Sequence, residues 1–179
     1  MTVSIIGIGG WLPDEIRTND AWPSNFGERA HAAGDRTFND IPESEDPVAA
    51  AILARDLATE SADLFLGAKQ RRVAPETTTA AEAETHAACA ALTDAGVNGG
   101  DVDLVLSNSI VPDRMSLPSA VSVARAVGAH RAIALGIEAM CASALAQIDV
   151  ARAYIEAGLA NVVLLTQSHL MLRTFPLAH

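Results

Sequence analysis

The sequence predicts an α/β domain whose sheet is mostly parallel and covered by helices. Two observations carry that prediction. Short apolar runs, "TVSIIGIGG", "DVDLVLSNS", "RAIALGIE" and "ANVVLLTQS", have the length and composition of buried strands. Between most of them lie alanine-rich segments of helical length that open on capping residues and close on glycine.

In chain order, residues 2–8 read as a buried strand that ends in glycines. The stretch from Trp11 to Asp46 is rich in Pro, Gly, Asn and Asp and reads as a long irregular surface insertion with room for a helical turn. Asp46 followed by Pro47 is a cap with proline at the first helical position, opening a helix that stops near Gly67. "TAAE", Thr79 to Glu82, is a capping box that opens the next helix, closed by Gly96. Cys89 falls inside this helix among alanines and is expected in the core, and His86 is expected to be a partly exposed helix residue. Residues 101–109 are a strand, "IVPDRMSLP" a loop, and residues 119–128 a helix capped by Ser119 and ended by Gly128. Residues 131–138 are a strand, residues 142–158 a helix ended by Gly158, and residues 160–168 a strand. The ending "HLMLRTFPLAH" is apolar and offers no closing helix, which is expected of a unit that needs more protein to complete it.

Composition excludes several function classes. The 179 residues suit one domain, and with 50% hydrophobic and 19% charged residues the chain is not a disordered one. A formal net charge of -10 disfavours broad contact with nucleic acid or anionic lipid. The dense basic run "KQRRV", with Lys69, Arg71 and Arg72, is either a solvated turn or a local patch for an acidic partner. Cys89 and Cys141 are too few for a disulfide framework. The N-terminal residues lack a secretory pattern, no apolar run has the length of a membrane span, and a soluble protein of the reducing cytoplasm is expected. No metal site and no cofactor are expected.

The informative stretch is "GIEAMCASAL", residues 136–145. It leaves a strand, turns on small residues and enters a helix, with Cys141 at the junction. Reactive groups in α/β proteins sit where a parallel strand passes into a helix. A helix N-terminus favours thiolate over thiol. Ala139, Ala142, Ser143 and Ala144 leave a substrate room to reach the sulfur, and backbone N–H groups of such a turn can hold an oxyanion. These features meet the needs of nucleophilic acyl transfer. Taken alone, they leave open a small packed hydrophobe, because nothing local supplies a base.

The chain resembles the N-terminal half of the β-ketoacyl-ACP synthase III family, of thiolase-like fold. The resemblance rests on "IIGIGGWLPDEIRTN", "GAKQRRVAPETTT", "DVDLVLSNS", "SLPSAVSVARAVG", "EAMCASALAQIDVARAYIEAG" and "ANVVLLTQSHLMLRT", in the family's order and over nearly all residues. It implies that residues 1–179 form one βαβαβ half and that Cys141 is the acyl-accepting nucleophile. The family's second half supplies a histidine and an asparagine or aspartate, positions that His169 and His179 do not match. It further implies a homodimer in which Leu117, on "PDRMSLPS", reaches across a two-fold interface to line the partner's acyl tunnel. Members that use coenzyme A carry a tryptophan and an arginine where this chain has Ser61 and Phe65, which shifts the expected donor toward an acyl carrier protein met by Lys69, Arg71 and Arg72. The long segment with Trp11, Trp22 and "AWPSNFG" resembles relatives in secondary metabolism that pass an acyl group from a carrier protein to a hydroxyl. The implied activity is therefore acyl transfer to a secondary-metabolite acceptor. Decarboxylative condensation and a non-catalytic dimer partner are the alternatives.

Overall fold

A computed structural model describes residues 2–28, 46–62, 65 and 67–171. It contains two compact units: residues 2–13 with 74–171, and residues within 14–73.

In the smaller unit, β1 (Ile16–Thr18) pairs antiparallel with β2 (Gln70–Arg72), with Arg17 opposite Arg71. Helix α1 (Pro47–Ala62) lies between them in sequence. Its start is as expected: the Asp46 carboxylate accepts from the Val48 N–H at 2.9 Å. Strand β1 arises inside the stretch expected to be irregular. Of that stretch, residues 29–45 lie outside the described residues.

The larger unit holds the parallel sheet. β3 (Leu104–Ser109) is central, flanked by β4 (Ile133–Gly136) and β5 (Val163–Ser168), both parallel to it. Helix α2 (Ala80–Ala95) precedes β3, α3 (Ser119–Ala126) joins β3 to β4, and α4 (Ser143–Glu156) joins β4 to β5. Side chains alternate between the sheet's faces. Val105 and Leu164 pack with Ala88 of α2 and Ala120, Val123 and Ala124 of α3. Leu104 and Leu106 pack with Ala151 of α4. Both faces of β3 are therefore covered, which explains its unbroken apolar run. The helix ends follow the sequence: Thr79 and Glu82 form the reciprocal capping box, and Gly96 closes α2 at φ 66°.

Three local expectations fail, each for a physical reason. Residues 2–8 are not a buried strand: none is in a strand, and Ile5, Ile6 and Ile8 are exposed. A Cβ on Gly7 would lie 2.5 Å from the Ala91 carbonyl oxygen, and one on Gly9 would lie 2.2 Å from the Ala91 nitrogen. The segment thus lays its glycines on the backbone of α2 and turns the alternating isoleucines away. The Ile8 N–H donates to Asp94 at 3.0 Å, and Trp11 stacks on exposed His86 at 5.6 Å. Cys89 is exposed, not core, because the buried stripe of α2 runs through Ala80, Ala83, Glu84 and Ala88 and leaves position 89 off the face. Ser119 does not cap α3. It is the first helical residue, and its hydroxyl donates to Glu84 at 2.7 Å; the Ala120 N–H is met instead by the Ser107 hydroxyl at 2.8 Å.

Glu84 is fully buried and accepts from three hydroxyls: Ser119 and Ser168 on one oxygen, Thr166 on the other, at 2.7–2.9 Å. One side chain so ties α2 to α3 and β5. Burial pushes its carboxyl up from the ordinary range against the opposing pull of the three hydroxyls. In the window above the ordinary pKa the folded state retains a proton that the unfolded chain loses. Stability therefore falls as pH rises through that window. Glu84→Gln keeps the shape and removes the titration, so its melting temperature should gain on the parent's as pH rises above the ordinary carboxylate range. Glu84→Ala, which removes the shared partner of buried Thr166 and Ser168 and of part-buried Ser119, should lose about 2–4 kcal/mol in denaturant unfolding. A Gln-to-parent difference that does not change with pH would contradict this account of Glu84.

Candidate active site at the end of β4

The parallel ladder between β3 and β4 ends where the Ile137 N–H donates to the Ser107 carbonyl at 2.9 Å. The chain then turns sharply. Ala139 sits at φ -145° and ψ 29°, and Met140 at φ 52°, the one positive φ among the described non-glycine residues. Such a backbone is costly for a side chain with a Cβ and persists only where neighbours hold it. A single 3-10 turn, Met140–Ala142, follows and leads directly into α4. Cys141 sits in the middle of that turn, exposed and not disulfide-bonded.

Side chains hold the turn. Ser143, 1% exposed, accepts from the Ala139 N–H at 2.9 Å and donates to the Met140 carbonyl at 2.8 Å. Glu138 accepts from the Met140 N–H at 2.9 Å with one oxygen and from the Asn108 amide at 2.6 Å with the other. The Ala139 and Met140 N–H groups and the Met140 carbonyl of the turn that carries the sulfur are therefore held by side chains. Around it lie small residues, as expected, and an exposed apolar surface of Met140, Leu145 and Ile148.

Beside this turn a cavity of about 380 Å³ lies between the ends of β3 and β4 and the loop Pro112–Pro118. Asn108, Ser109, Arg114, Leu117 and Glu138 are among its lining residues. The loop is anchored at both ends. The Asp113 carboxylate accepts from the first two N–H groups of α2, Ala80 and Ala81, at 2.7 and 3.0 Å. At the other end Pro118 presses on β4 so closely that a Cβ on Gly136 would lie 2.9 Å from the proline Cβ. Between these anchors Met115 is 99% exposed and Leu117 42%.

The basic run lies in the smaller unit and its three residues differ. Lys69 is exposed, and Arg72 is exposed with its guanidinium donating to the Asp14 carbonyl at 3.3 Å. Arg71 is half-buried: it donates to the Asn19 side chain at 2.8 Å and lies 4.8 Å over the Phe65 ring and 5.8 Å over Trp22. Phe26 stacks on Phe65 with ring centroids 5.9 Å apart. This aromatic–guanidinium cluster was not legible beforehand, since its members come from segments of no clear periodicity. Ser61 belongs to α1, and its side chain lies outside the described residues, as does His179; His169 is exposed. Glu84 and the Glu138–Asn108 pair were also missed, although a glutamate on the apolar stripe of an alanine-rich helix was a signal for the first.

Among the described residues no group of three or more His, Cys, Asp or Glu is placed to hold a metal ion, and no helix is long and apolar enough to cross a membrane. No protein-family model matches the chain. It is 28% identical over 168 residues to a β-ketoacyl-[acyl-carrier-protein] synthase III of Bacillus cereus, covering 94% of this chain and 45% of that protein. A synthase III of Bordetella petrii is 31% identical over 137 residues, covering 74% of this chain and 41% of that one. In structure the chain superposes on the priming β-ketosynthase of the R1128 polyketide pathway with a TM-score of 0.69 at 20% identity, covering 98% of this chain and 44% of that one. A tetronic acid condensing enzyme gives 0.70 at 22% identity, covering 99% and 47%. The chain thus has a thiolase-like α/β fold, its relatives by sequence are synthase III proteins, and it spans about half their length.

The strain at Met140 is open to direct test. Met140→Val, which forces a β-branched side chain into the left-handed region, should cost about 1–3 kcal/mol in denaturant unfolding. Met140→Gly should stay within about 1 kcal/mol of the parent, because glycine takes this φ freely but loses more entropy on folding. Equal losses in the two variants would show that the left-handed turn does not form.

Proposed function

We propose that this relative of the synthase III proteins is an acyltransferase that carries its acyl group as a thioester on Cys141. The observation that supports it is the placement of an exposed thiol on a pinned, left-handed turn between a parallel strand and α4. In the reaction the Cys141 sulfur attacks a donor thioester carbonyl, the donor thiol leaves with the proton, and the acyl group stays on sulfur. The N–H groups at the start of α4 favour negative charge on the carbonyl oxygen as it develops. Residues 1–179 act in this reading as the N-terminal half of a thiolase-like catalytic unit, and the base, a histidine with an asparagine or aspartate, comes from protein beyond them.

An acyl carrier protein is the proposed donor, because exposed Lys69 and Arg72 offer positive charge to an acidic partner and Phe65 replaces a nucleotide-binding residue of coenzyme A users. Arg71, packed on aromatic rings, contributes less to that surface. Acyl-coenzyme A is the second donor, favoured by the aromatic face and guanidinium that Trp22, Phe65 and Arg71 bring together. The acceptor is read from the sequence as a secondary metabolite. The second reading, decarboxylative condensation with a malonyl carbanion, is favoured by the names of the relatives, which are synthases and condensing enzymes. Homodimerisation belongs to the proposal too, with exposed Leu117 and Met115 on the loop that would reach the partner.

Intact-protein mass spectrometry after incubation with an acyl donor should show a single acyl adduct, lost in Cys141→Ala and kept in Cys89→Ala. An adduct that survives Cys141→Ala contradicts the assignment. With the same acyl group on both donors, the carrier-protein form should acylate Cys141 on the order of a hundredfold faster than the coenzyme A form and should slow as salt is raised. Equal donors, or a carrier-protein rate untouched by salt, would leave coenzyme A as the donor. Release of carbon dioxide from a malonyl acceptor decides for condensation.

A further inference from the structure

We infer that Glu138 and Asn108 form a clasp that positions Cys141, a role that rests on Cys141 being the acyl acceptor. Backbone pairing between β3 and β4 stops at Ile137. One residue further, side chains continue it: the Glu138 carboxylate bridges the Asn108 amide at 2.6 Å and the Met140 N–H at 2.9 Å. Asn108 is 6% exposed and fixed in the central strand, so it gives the bridge a rigid end. Met140 is the residue that takes the strained φ, and Cys141 follows it directly. A carboxylate spanning these groups therefore transfers the position of β3 to the turn that aims the sulfur. Ser143 braces the same turn from α4, through the Ala139 N–H and the Met140 carbonyl. Glu138 and Asn108 also line the cavity beside the loop.

Displacing a reacting group by about 1 Å can cost on the order of a hundredfold in rate. Glu138→Ala should slow Cys141 acylation by about 10- to 100-fold. Glu138→Gln should restore most of that rate, because its amide oxygen can accept from Met140 while Asn108 turns its own oxygen to the new amide nitrogen. Asn108→Asp should be slow too, since it sets two carboxylates against each other. Two readouts separate positioning from loss of fold or charge. Amide exchange at Met140 should quicken by about tenfold or more in Glu138→Ala and stay slow in Glu138→Gln. Alkylation of exposed Cys89 by iodoacetamide should be the same in all variants. Parental acylation and parental Met140 exchange in Glu138→Ala would overturn the clasp, and so would a Gln variant as slow as the Ala variant. If the parent itself takes no acyl group on Cys141, the catalytic reading fails, and Met140 exchange still decides whether the clasp holds the turn.

Discussion

The hydrogen bonds made by the polar end of β3 are the constraint on which the candidate site depends. Leu104, Val105 and Leu106 are buried on both faces and fix the strand in the centre of the sheet. The next residues change character. Ser107 meets the N-terminus of α3, and Asn108 meets the carboxylate that holds the turn before Cys141. Ser109 is among the residues lining the cavity, and its hydroxyl is buried without a partner among the described residues. A strand held by apolar burial thus ends in groups that position a helix start and the cysteine turn. This agrees with the general placement of sites at the carboxyl ends of parallel strands.

Behind this end stands Glu84. A carboxyl group away from water is costly to ionise, and among the described residues three hydroxyls, not a cation, meet it here. The result binds α2, α3 and β5 through directional contacts, in a core whose helices contribute mostly alanine. Asp113 adds a second polar link, from the cavity's loop to the N-terminus of α2. The apolar layers hold the sheet and helices together. The polar contacts fix where their ends fall.

Much of this fold was legible in the sequence because its signals are local. A capping box, a proline after an aspartate and a glycine after a helical run each act through the residues beside them. The parallel sheet followed from apolar strand runs separated by helices. What was not legible depends on which face meets what. Residues 2–8 have the composition of a strand, yet Gly7 and Gly9 let them lie on α2. Cys89 has core-like neighbours in sequence but falls beside the buried stripe. Ser119 stands where a cap belongs and spends its hydroxyl on Glu84, 35 positions away in sequence. At the site, Cys141 was visible from the strand-to-helix junction, and the resemblance gave it a role. Glu138 and Asn108 were invisible, since only the register of β3 against β4 brings positions 30 apart into contact. Arg71, read as part of a solvated turn or a patch for an acidic partner, is packed against two rings, Trp22 and Phe65, from two different segments.

The most direct test of the central claim, an acyl group held as a thioester on an ordered Cys141 turn, is the carbon NMR spectrum of the protein loaded from a donor labelled at the acyl carbonyl. One narrow carbonyl resonance at a thioester shift, absent from Cys141→Ala, is the predicted result. A resonance at the shift of an oxygen ester, or one that persists in Cys141→Ala, would contradict it.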